Sequence, residues 1–450
     1  MRGARLTAVS AAAVLVAGGV ALLVVDGEPR PAAGQVAASP EPPPDRGALL
    51  PLISGAAPAP TAGGLQGAVD ATLADPAIAG RLAVSVVDAL TGEPLLERGA
   101  STPVLPASTA KIATAVAVLT SLDPDTQLTT RVLAGSAPGE VVLVGGGDPT
   151  LAGPEVARRY PQPARLTTLA AAVRTSLAGT PLMRVLVDES LYSGESTGPG
   201  WTGSYVSQGA VAPVSPLMVD GGRVRPDRDA RHDDPAIAAG RALADLLAPG
   251  AEVVRGTAAP GARELGAVQS PPLGRLVEQM LIRSDNDLAE ALSRQVALSQ
   301  GQPASFEGAA AAMRDVLLAA GVTPGGIALV DGSGLSRANL LQPAALTRLL
   351  ATAGQDDRLA PLLTGLPVAG FDGTLARRYR SGDARPAAGA VRAKTGTLNG
   401  VSALAGLVRT ADGRLLAFDL TADGVPLGAT RGAEAALDRL AAALATCGCR

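Results

Sequence analysis

The segment PASTAKIATAVAVLTSL, residues 106–122, combines a serine, a lysine and a strongly helical apolar run. Serine is a frequent N-cap residue, so we predict a helix from Ser108 to Leu122 with Ser108 at its start. Residues three apart in a helix share a face, which brings Ser108 next to Lys111. The segment therefore predicts a helix that carries a hydroxyl beside an amine.

Lysine is almost absent from the rest of the chain. Lys111 and Lys394 are the only two among 38 basic residues, and all the others are arginine. Arginine stays protonated under physiological conditions, whereas a desolvated lysine can lose its charge and act as a base. Lys394 opens a second short pattern, Lys394-Thr395-Gly396. The two positions that kept lysine are therefore predicted to carry chemistry.

A serine hydroxyl needs a neighbouring base before it can act as a nucleophile. The one histidine, His232, lies in a charged, turn-like stretch that predicts a solvated loop residue, which disfavours a histidine-based triad. Lys111 is the remaining strong base close to a serine, and it must be neutral to accept a proton. We expect burial, together with the charge of Lys394 across a cleft, to lower the pKa of Lys111.

A polar triplet, Ser284-Asp285-Asn286, separates two predicted helices at 272–283 and 288–298. We expect Ser284 to relay a proton to a leaving group and the Asn286 amide to bond a peptide group. Neither this triplet nor Ser-x-x-Lys is specific alone. Together with Lys394-Thr395-Gly396, in the order helix start, interhelical loop and strand, they predict one catalytic centre.

The first 63 residues lack the patterns of a folded domain. Arg2 and Arg5 precede an uncharged run at 6–25 that is long enough to span a bilayer. No good cleavage pattern follows it, so we favour an uncleaved signal anchor at 1–26 over a cleaved signal peptide. The proline-rich segment 27–63 is predicted to be a tether. Both interpretations place the remaining chain outside the cytoplasm, either membrane-anchored or secreted to the cell envelope.

The composition disfavours two other classes of site. A formal net charge of −3, without basic residues interleaved with aromatics, argues against nucleic acid as a partner. One histidine and two cysteines cannot assemble a zinc centre of histidine and cysteine ligands. Cys447 and Cys449 lie in a tail, 447–450, for which disorder is the favoured prediction. A strained disulfide between them and an intermolecular bridge are the alternatives.

Strand-like runs occur at both ends of the folded body, with helices between them. This order predicts an α/β (α+β) domain whose sheet joins distant segments of the chain. From about residue 126 the pattern changes to mixed strands and helices, which predicts an inserted mixed α/β domain at 126–265. The main domain then comprises 64–125 and 266–446.

The three polar patterns together are a known signature of β-lactamases and penicillin-binding proteins. From about residue 65 to 444 the chain resembles the low-molecular-mass class C penicillin-binding proteins, which are penicillin-recognising serine peptidases. A long insertion between the first two motifs, here 112–283, is also typical of that class. Further segments similar to those of the class are Gly145-Gly-Gly-Asp-Pro-Thr-Leu151, Ala212-Pro-Val-Ser-Pro-Leu-Met218, Asp331-Gly-Ser-Gly-Leu-Ser336 and Phe371-Asp-Gly-Thr-Leu375.

This resemblance implies a β-lactamase/transpeptidase-like fold, with an antiparallel sheet flanked by helices, and D-alanyl-D-alanine carboxypeptidase or endopeptidase activity. The implied substrate is a peptidoglycan stem peptide, β-lactams are the implied inhibitors, and no metal or organic cofactor is needed. The implied roles are those of acylated nucleophile for Ser108, its base for Lys111, second motif for Ser284 and Asn286, and substrate binding for Lys394, Thr395, Gly396 and Thr397. Backbone N–H groups of Ser108 and Thr397 would form the oxyanion hole.

Two other functions remain open. A β-lactamase forms the same acyl-enzyme and differs in deacylation, although it needs neither the inserted domain nor a membrane anchor. A non-catalytic envelope protein could keep the fold and bind wall peptides without cleaving them. The retention of Ser108 and Lys111 argues against that second alternative.

Overall fold

The computed structural model describes residues 57–78, 81–155 and 161–449. The predicted signal anchor at 1–26 and most of the predicted tether at 27–63 lie outside the described residues. Within the described ranges, no helix has both the length and the apolar character needed to cross a bilayer.

Strands occur throughout the described part of the chain. In chain order they are β1 (Arg81–Asp88), β2 (Pro94–Arg98), β3 (Thr129–Ala134), β4 (Glu140–Val144), β5 (Arg184–Asp188), β6 (Glu252–Arg255), β7 (Glu264–Gln269), β8 (Ile327–Ala328), β9 (Leu340–Leu341), β10 (Val391–Leu398), β11 (Val401–Arg409) and β12 (Leu415–Asp423).

Helices lie before, between and after these strands. In chain order they are α1 (Ala62–Leu73), α2 (Ala110–Ser121), α3 (Leu166–Leu177), α4 (Ser204–Ser207), α5 (Pro235–Leu247), α6 (Leu273–Arg283), α7 (Asn286–Ser299), α8 (Phe306–Ala319), α9 (Pro343–Ala353), α10 (Ala360–Gly365) and α11 (Thr430–Thr446).

The larger core is built around an antiparallel sheet with the order β10-β11-β12-β1-β2. Its strands come from both ends of the folded body, which confirms the prediction of a sheet that joins distant segments. Leu404 and Val408 of β11 pack into a core with α11, whereas Ala405 and Leu407 pack into a core with α2. Because helices cover both faces, β11 and β12 are buried almost throughout.

A second sheet, with the order β6-β5-β4-β3-β7, is mixed. The pairs β4-β5 and β5-β6 are parallel, and the pairs of β3 with β4 and β7 are antiparallel. Helix α5 packs closely on it, since a Cβ at Gly240 would lie 2.6 Å from the Val187 side chain. The mixed α/β class is therefore confirmed for this region, while the exact domain boundaries at 126 and 265 stay a prediction.

The turn that carries Ser108 differs from the predicted helix start. A 3-10 turn at Ala107–Thr109 precedes α2, and the N-cap residue of α2 is Thr109, so the prediction of Ser108 as N-cap is wrong. The physical reason is a tight backbone turn at Ala107, which shifts the helix start by two residues. The Ser108 hydroxyl is therefore available to Lys111.

Two other expectations also change. Cys447 is buried, its sulfur contacts that of Cys449 as a disulfide within this chain, and the Cys449 carbonyl accepts the Thr61 N–H at 2.7 Å. Residues 447–449 are therefore packed against the body, and the prediction of a disordered tail is wrong for them. His232 lies in a loop as predicted, but it is half-buried and its N–H donates to the Gly222 carbonyl at 2.9 Å.

Candidate active site

The turn before α2 holds Ser108 in an uncommon backbone setting. Ala107 has a φ of 47°, a left-handed conformation that residues other than glycine rarely adopt. A Cβ on Gly334 would lie only 1.9 Å from the Ala107 carbonyl oxygen. Glycine at 334 therefore allows the loop 331–336 to pack directly against the turn Ala107–Thr109, which carries Ser108.

Lys111 is fully buried in the first turn of α2. Its Nζ lies 3.0 Å from Ser108 Oγ and 2.6 Å from both Asn286 Oδ1 and the Ser333 carbonyl oxygen. Burial lowers the pKa of Lys111 to about 8, although nearby carboxylates, led by Asp331, oppose the shift. The predicted desolvation of Lys111 is therefore present.

Lys394 is also fully buried, on β10. Its Nζ lies 2.9 Å from Ser284 Oγ and 2.8 Å from the Thr395 carbonyl oxygen. Burial lowers the pKa of Lys394 well below its ordinary range, and the charge of Lys111 lowers it further. The expected repulsion between the two amines is therefore seen in the pKa of Lys394, whereas the charges that act on the pKa of Lys111 in the unbound site are carboxylates, which raise it.

The second motif forms a corner between α6 and α7. Ser284 ends α6 with a φ of 55°, and the Asp285 carboxylate caps α7 by accepting the Leu288 N–H at 3.0 Å. Asn286 is the first residue of α7, and its Nδ2 donates to the Ala210 carbonyl at 2.8 Å. The corner therefore presents Ser284 to Lys394 and Asn286 to Lys111.

The third motif lies on β10, the edge strand of the larger sheet. The Thr395 hydroxyl donates to the Thr374 hydroxyl at 2.8 Å. A Cβ on Gly396 would lie 2.7 Å from the Pro106 carbonyl oxygen, so glycine lets β10 approach the turn that carries Ser108. Thr397 is exposed, and its hydroxyl donates to Glu434 on α11 at 3.0 Å.

The fold thus brings the three sequence motifs together around one point. Contacts link Ser108 to Lys111, Lys111 to Asn286, and Ser284 to Lys394. Gly396 adjoins the turn that carries Ser108, and Thr395 and Thr397 continue the same strand. The two buried amines therefore contact groups from α2, from the α6–α7 corner and from β10.

Glu290, which holds Ser333 beside Lys111, was not among the residues predicted from the sequence. Glu290 Oε1 accepts the N–H of Gly332 at 3.1 Å and the N–H of Ser333 at 2.8 Å. The Thr114 hydroxyl donates to the Gly332 carbonyl at 2.6 Å. A signal was present, because Glu290 lies four residues after Asn286 and so on the same face of α7.

Glu290 belongs to a buried polar row along α7. Its Oε2 lies 3.3 Å from Nη1 of Arg294, whose guanidinium lies 4.2 Å from the centre of the Phe306 ring. Burial and the charge of Asp331 raise the pKa of Glu290 to about 7, against the opposing effect of Arg294. Glu290 therefore both positions the loop that contacts Lys111 and contributes a negative charge near that amine.

A cleft of about 550 Å³ adjoins the motif residues. Ser284, Asn286 and Thr374 line it on one side, and residues of the inserted region, among them Arg223 and Arg231, line the other. The α6–α7 corner therefore separates the two lysines from a large open space.

Comparison with known proteins agrees with this arrangement of motifs. The model of the D-Ala-D-Ala carboxypeptidase 3 (S13) family matches residues 65–233 and 227–444. The chain is 42% identical over 427 residues to a carboxypeptidase DacB of Mycolicibacterium smegmatis, covering 92% of this chain and 91% of that protein. It is 30% identical to a D-alanyl-D-alanine carboxypeptidase of Actinomadura, covering 79% and 80% of the two chains.

A solved structure shares the fold. Penicillin binding protein 4 from Haemophilus influenzae superposes with a TM-score of 0.68 at 23% identity, covering 83% of this chain and 97% of that one. The predicted transpeptidase-like fold is confirmed by this similarity, and the predicted family and enzyme class by the matches over nearly the whole folded body. The chain belongs to the D-Ala-D-Ala carboxypeptidase 3 (S13) family and is a serine-type D-Ala-D-Ala carboxypeptidase.

Proposed function

We propose that this carboxypeptidase works through an acyl-enzyme on Ser108, with Lys111 as the general base. One observation carries the assignment: Nζ of the buried Lys111 lies 3.0 Å from Ser108 Oγ and 2.6 Å from two pure acceptors, Asn286 Oδ1 and the Ser333 carbonyl. A neutral amine has two N–H donors and one lone pair. With both donors on the acceptors, the lone pair faces the serine hydroxyl.

The bond changes then balance without a cofactor. Lys111 takes the Ser108 proton while Oγ attacks the carbonyl carbon of the penultimate D-Ala, and the amide bond to the last D-Ala breaks. The departing amine takes a proton that Ser284, in contact with Lys394, can deliver. Lys394, once protonated, replaces the proton that Ser284 gave up. Water then attacks the ester and yields one proton to Lys394, while Lys111 returns its proton to Ser108 Oγ, which releases the shortened peptide and restores the Ser108 hydroxyl.

The terminal carboxylate of the substrate is assigned to Lys394 and Thr395. A carboxylate beside Lys394 favours the protonated form of that amine, because opposite charges attract. Two ammonium groups close together repel each other, so a charged Lys394 in turn favours a neutral Lys111. Substrate binding would in this way prepare the base for the reaction.

The oxyanion hole is assigned to the backbone N–H groups of Ser108 and Thr397. One such donor is typically worth about 3 kcal/mol in the transition state. The close packing at Gly396 supports this assignment, because it brings β10 alongside the turn that carries Ser108. Thr397 directly follows that glycine on the same strand, which supports the assignment of its N–H as the second donor.

The proposed substrate is a peptidoglycan stem peptide that ends in D-Ala-D-Ala, and β-lactams are the proposed inhibitors. Family membership supports the substrate. A structure of penicillin binding protein 4 from Haemophilus influenzae in complex with a novel β-lactam has a similar fold, with a TM-score of 0.63. Such a substrate lies outside the cytoplasm, which agrees with the proposed anchor at 1–26.

A paired assay tests this function against the β-lactamase alternative. The full chain is expected to release D-Ala from a D-Ala-D-Ala peptide, and to gain the mass of one penicillin molecule at Ser108 by peptide mapping. Ser108→Ala should lose both, and Thr109→Ser should keep both as a matched control. Fast penicillin turnover without D-Ala release would instead identify a β-lactamase.

A further inference from the structure

The cleft beside the motif residues is larger than one leaving D-Ala requires. Its volume of about 550 Å³ lies in the range typical of sites for drug-sized ligands, roughly 300–1,000 Å³. It begins at Ser284 and Thr374, and the Thr374 hydroxyl accepts a hydrogen bond from Thr395. Since the terminal carboxylate is assigned to Thr395, the cleft extends the site on the side of the leaving group.

Arg231, on the wall of this cleft, has hydrogen-bond donors that remain unused. Its side chain is 3% exposed, and its Nη2 donates to Asp287 Oδ2 at 3.0 Å. Its Nε and Nη1 are buried and meet no acceptor among the residues the structure describes. Buried guanidinium donors without an acceptor are costly, so an acceptor brought by a ligand would be bound favourably.

The carboxylates of the cleft are already engaged by backbone donors. Asp287 accepts from Ala212 at 2.7 Å, Asp285 from Leu288 at 3.0 Å, and Asp220 from Gly153 at 3.3 Å. Even so, the Nε and Nη1 donors of Arg231 meet no acceptor among the described residues, so they can donate to an anion in the cleft.

Arg223 adds a second guanidinium at the same wall. Its Nη1 donates to the Asp220 carbonyl at 3.0 Å. A Cβ placed on Gly221 would lie 2.7 Å from that Nη1 and 3.4 Å from Asp287 Oδ2, so Arg223 lies beside the Arg231–Asp287 pair. Burial raises the pKa of Asp287, and the charges of Arg231 and Arg223 oppose that rise, so both guanidiniums act on this one carboxylate although only Arg231 pairs with it.

We propose that Arg231 and Arg223 form a subsite for a second carboxylate on the leaving group, beyond the terminal one. This proposal rests on the proposed function, which fixes the direction of the substrate through Thr395. The ligand class is an amino acid or peptide leaving group with an anionic side chain. A carboxylate can accept from the unused Arg231 donors in a charge-assisted pair, which a neutral amide does only weakly.

The test compares leaving groups within each protein. Peptides with the same acyl part are made to end in D-Glu or D-α-aminoadipate, and each is paired with its side-chain amide. For at least one of these two pairs, the full chain should cleave the carboxylate peptide with a kcat/KM at least about tenfold higher than that of the matching amide peptide. Arg231→Lys keeps a cation beside Asp287 but loses the planar set of donors. It should bring the ratio of kcat/KM for carboxylate over amide close to one. Arg223→Gln should lower the ratio as well.

Because both peptides of a pair are measured on the same protein, a loss of folded protein or of catalytic rate lowers both kcat/KM values and cancels in their ratio. Arg225→Gln, at an exposed arginine that pairs with Asp227, is the matched control and should keep the wild-type ratio. A wild-type ratio of one, with D-Ala release and the Ser108 adduct intact, overturns the subsite alone. So does a preference that survives in both arginine variants. Failure to cleave any of these peptides or D-Ala-D-Ala overturns the proposed function and the subsite together.

Discussion

The two buried lysines lie in opposite surroundings. The helical side, which comprises α2, α7 and the loop 331–336, places carboxylates near Lys111, and the pKa of Lys111 falls only to about 8 because they oppose the effect of burial. The strand side, β10, offers no comparable carboxylate, and the pKa of Lys394 falls well below its ordinary range. The same residue type is therefore tuned by its neighbours and not by burial alone.

This difference assigns different tasks to the two amines. The Lys111 amine contacts acceptors at two of its hydrogen-bonding positions and the Ser108 hydroxyl at the third, an arrangement that suits a base. Lys394 contacts the Ser284 hydroxyl and a backbone carbonyl, and within the described part of the chain no carboxylate pairs with it to stabilise its charge. A substrate carboxylate would supply that missing partner, so the strand side is completed only by binding.

The largest expected effect comes from replacing each lysine by arginine. Lys111→Arg should slow acylation of Ser108 by penicillin by about 10³–10⁴-fold, because a guanidinium cannot accept the proton. Lys394→Arg keeps a cation for the carboxylate and should lose on the order of 10²-fold. The rate of adduct formation, followed by mass spectrometry, measures both.

Thermal unfolding of the two arginine variants is the control, since both side chains are larger than lysine in a buried site. Equal losses of acylation in two equally stable variants would contradict the division of tasks between the amines.

A smaller effect is expected from the two glycines that let each side approach the turn that carries Ser108. Gly334→Ala brings a Cβ to 1.9 Å from the Ala107 carbonyl at a φ of 82°, so both the acylation rate and the unfolding temperature should fall. Gly396→Ala meets the Pro106 carbonyl at 2.7 Å. A small shift of β10 relieves that contact, so acylation should slow by roughly 10–100-fold with little loss of stability.

Gly325→Ala, where a Cβ meets nothing within 4 Å, is the matched control and should behave like the wild type. If Gly396→Ala unfolds the protein more readily than Gly334→Ala, then β10 is the more rigid side and this part of the comparison is wrong.

The smallest effect concerns pH. Acylation by the wild type should rise as pH increases through about 8, because only neutral Lys111 is a base. Glu290→Gln removes a negative charge that raises the pKa of Lys111, so the midpoint of the profile should move to lower pH by less than about one unit. Glutamine keeps an oxygen for the N–H groups of Gly332 and Ser333.

Glu278→Gln serves as the control for this profile, since Glu278 pairs with Arg275 on the surface of α6. A midpoint that stays at the wild-type pH in Glu290→Gln would show that this carboxylate positions the loop without affecting the charge on Lys111.

Much of the fold could be predicted from local sequence. The helices predicted at 272–283 and 288–298 are observed as α6 and α7 with ends shifted by at most two residues, because the polar triplet at 284–286 clearly divides two apolar periodic runs. β6, β7 and α10 were missed, since they are short and lack a distinct pattern. The start of α2 was misplaced because the left-handed turn at Ala107 is held by packing against Gly334, a contact between residues far apart in the chain.

The sequence by itself determined to which residues the chemistry is assigned, because a chain that uses arginine nearly everywhere retains lysine only at 111 and 394. Tertiary structure alone decided how those residues act. The approach of Glu290 and the loop 331–336 to Lys111, and the position of Arg231 on the cleft, depend on distances between segments that lie tens to hundreds of residues apart in the chain. Such distances set the desolvation and the local charge, and these in turn set the pKa of each amine.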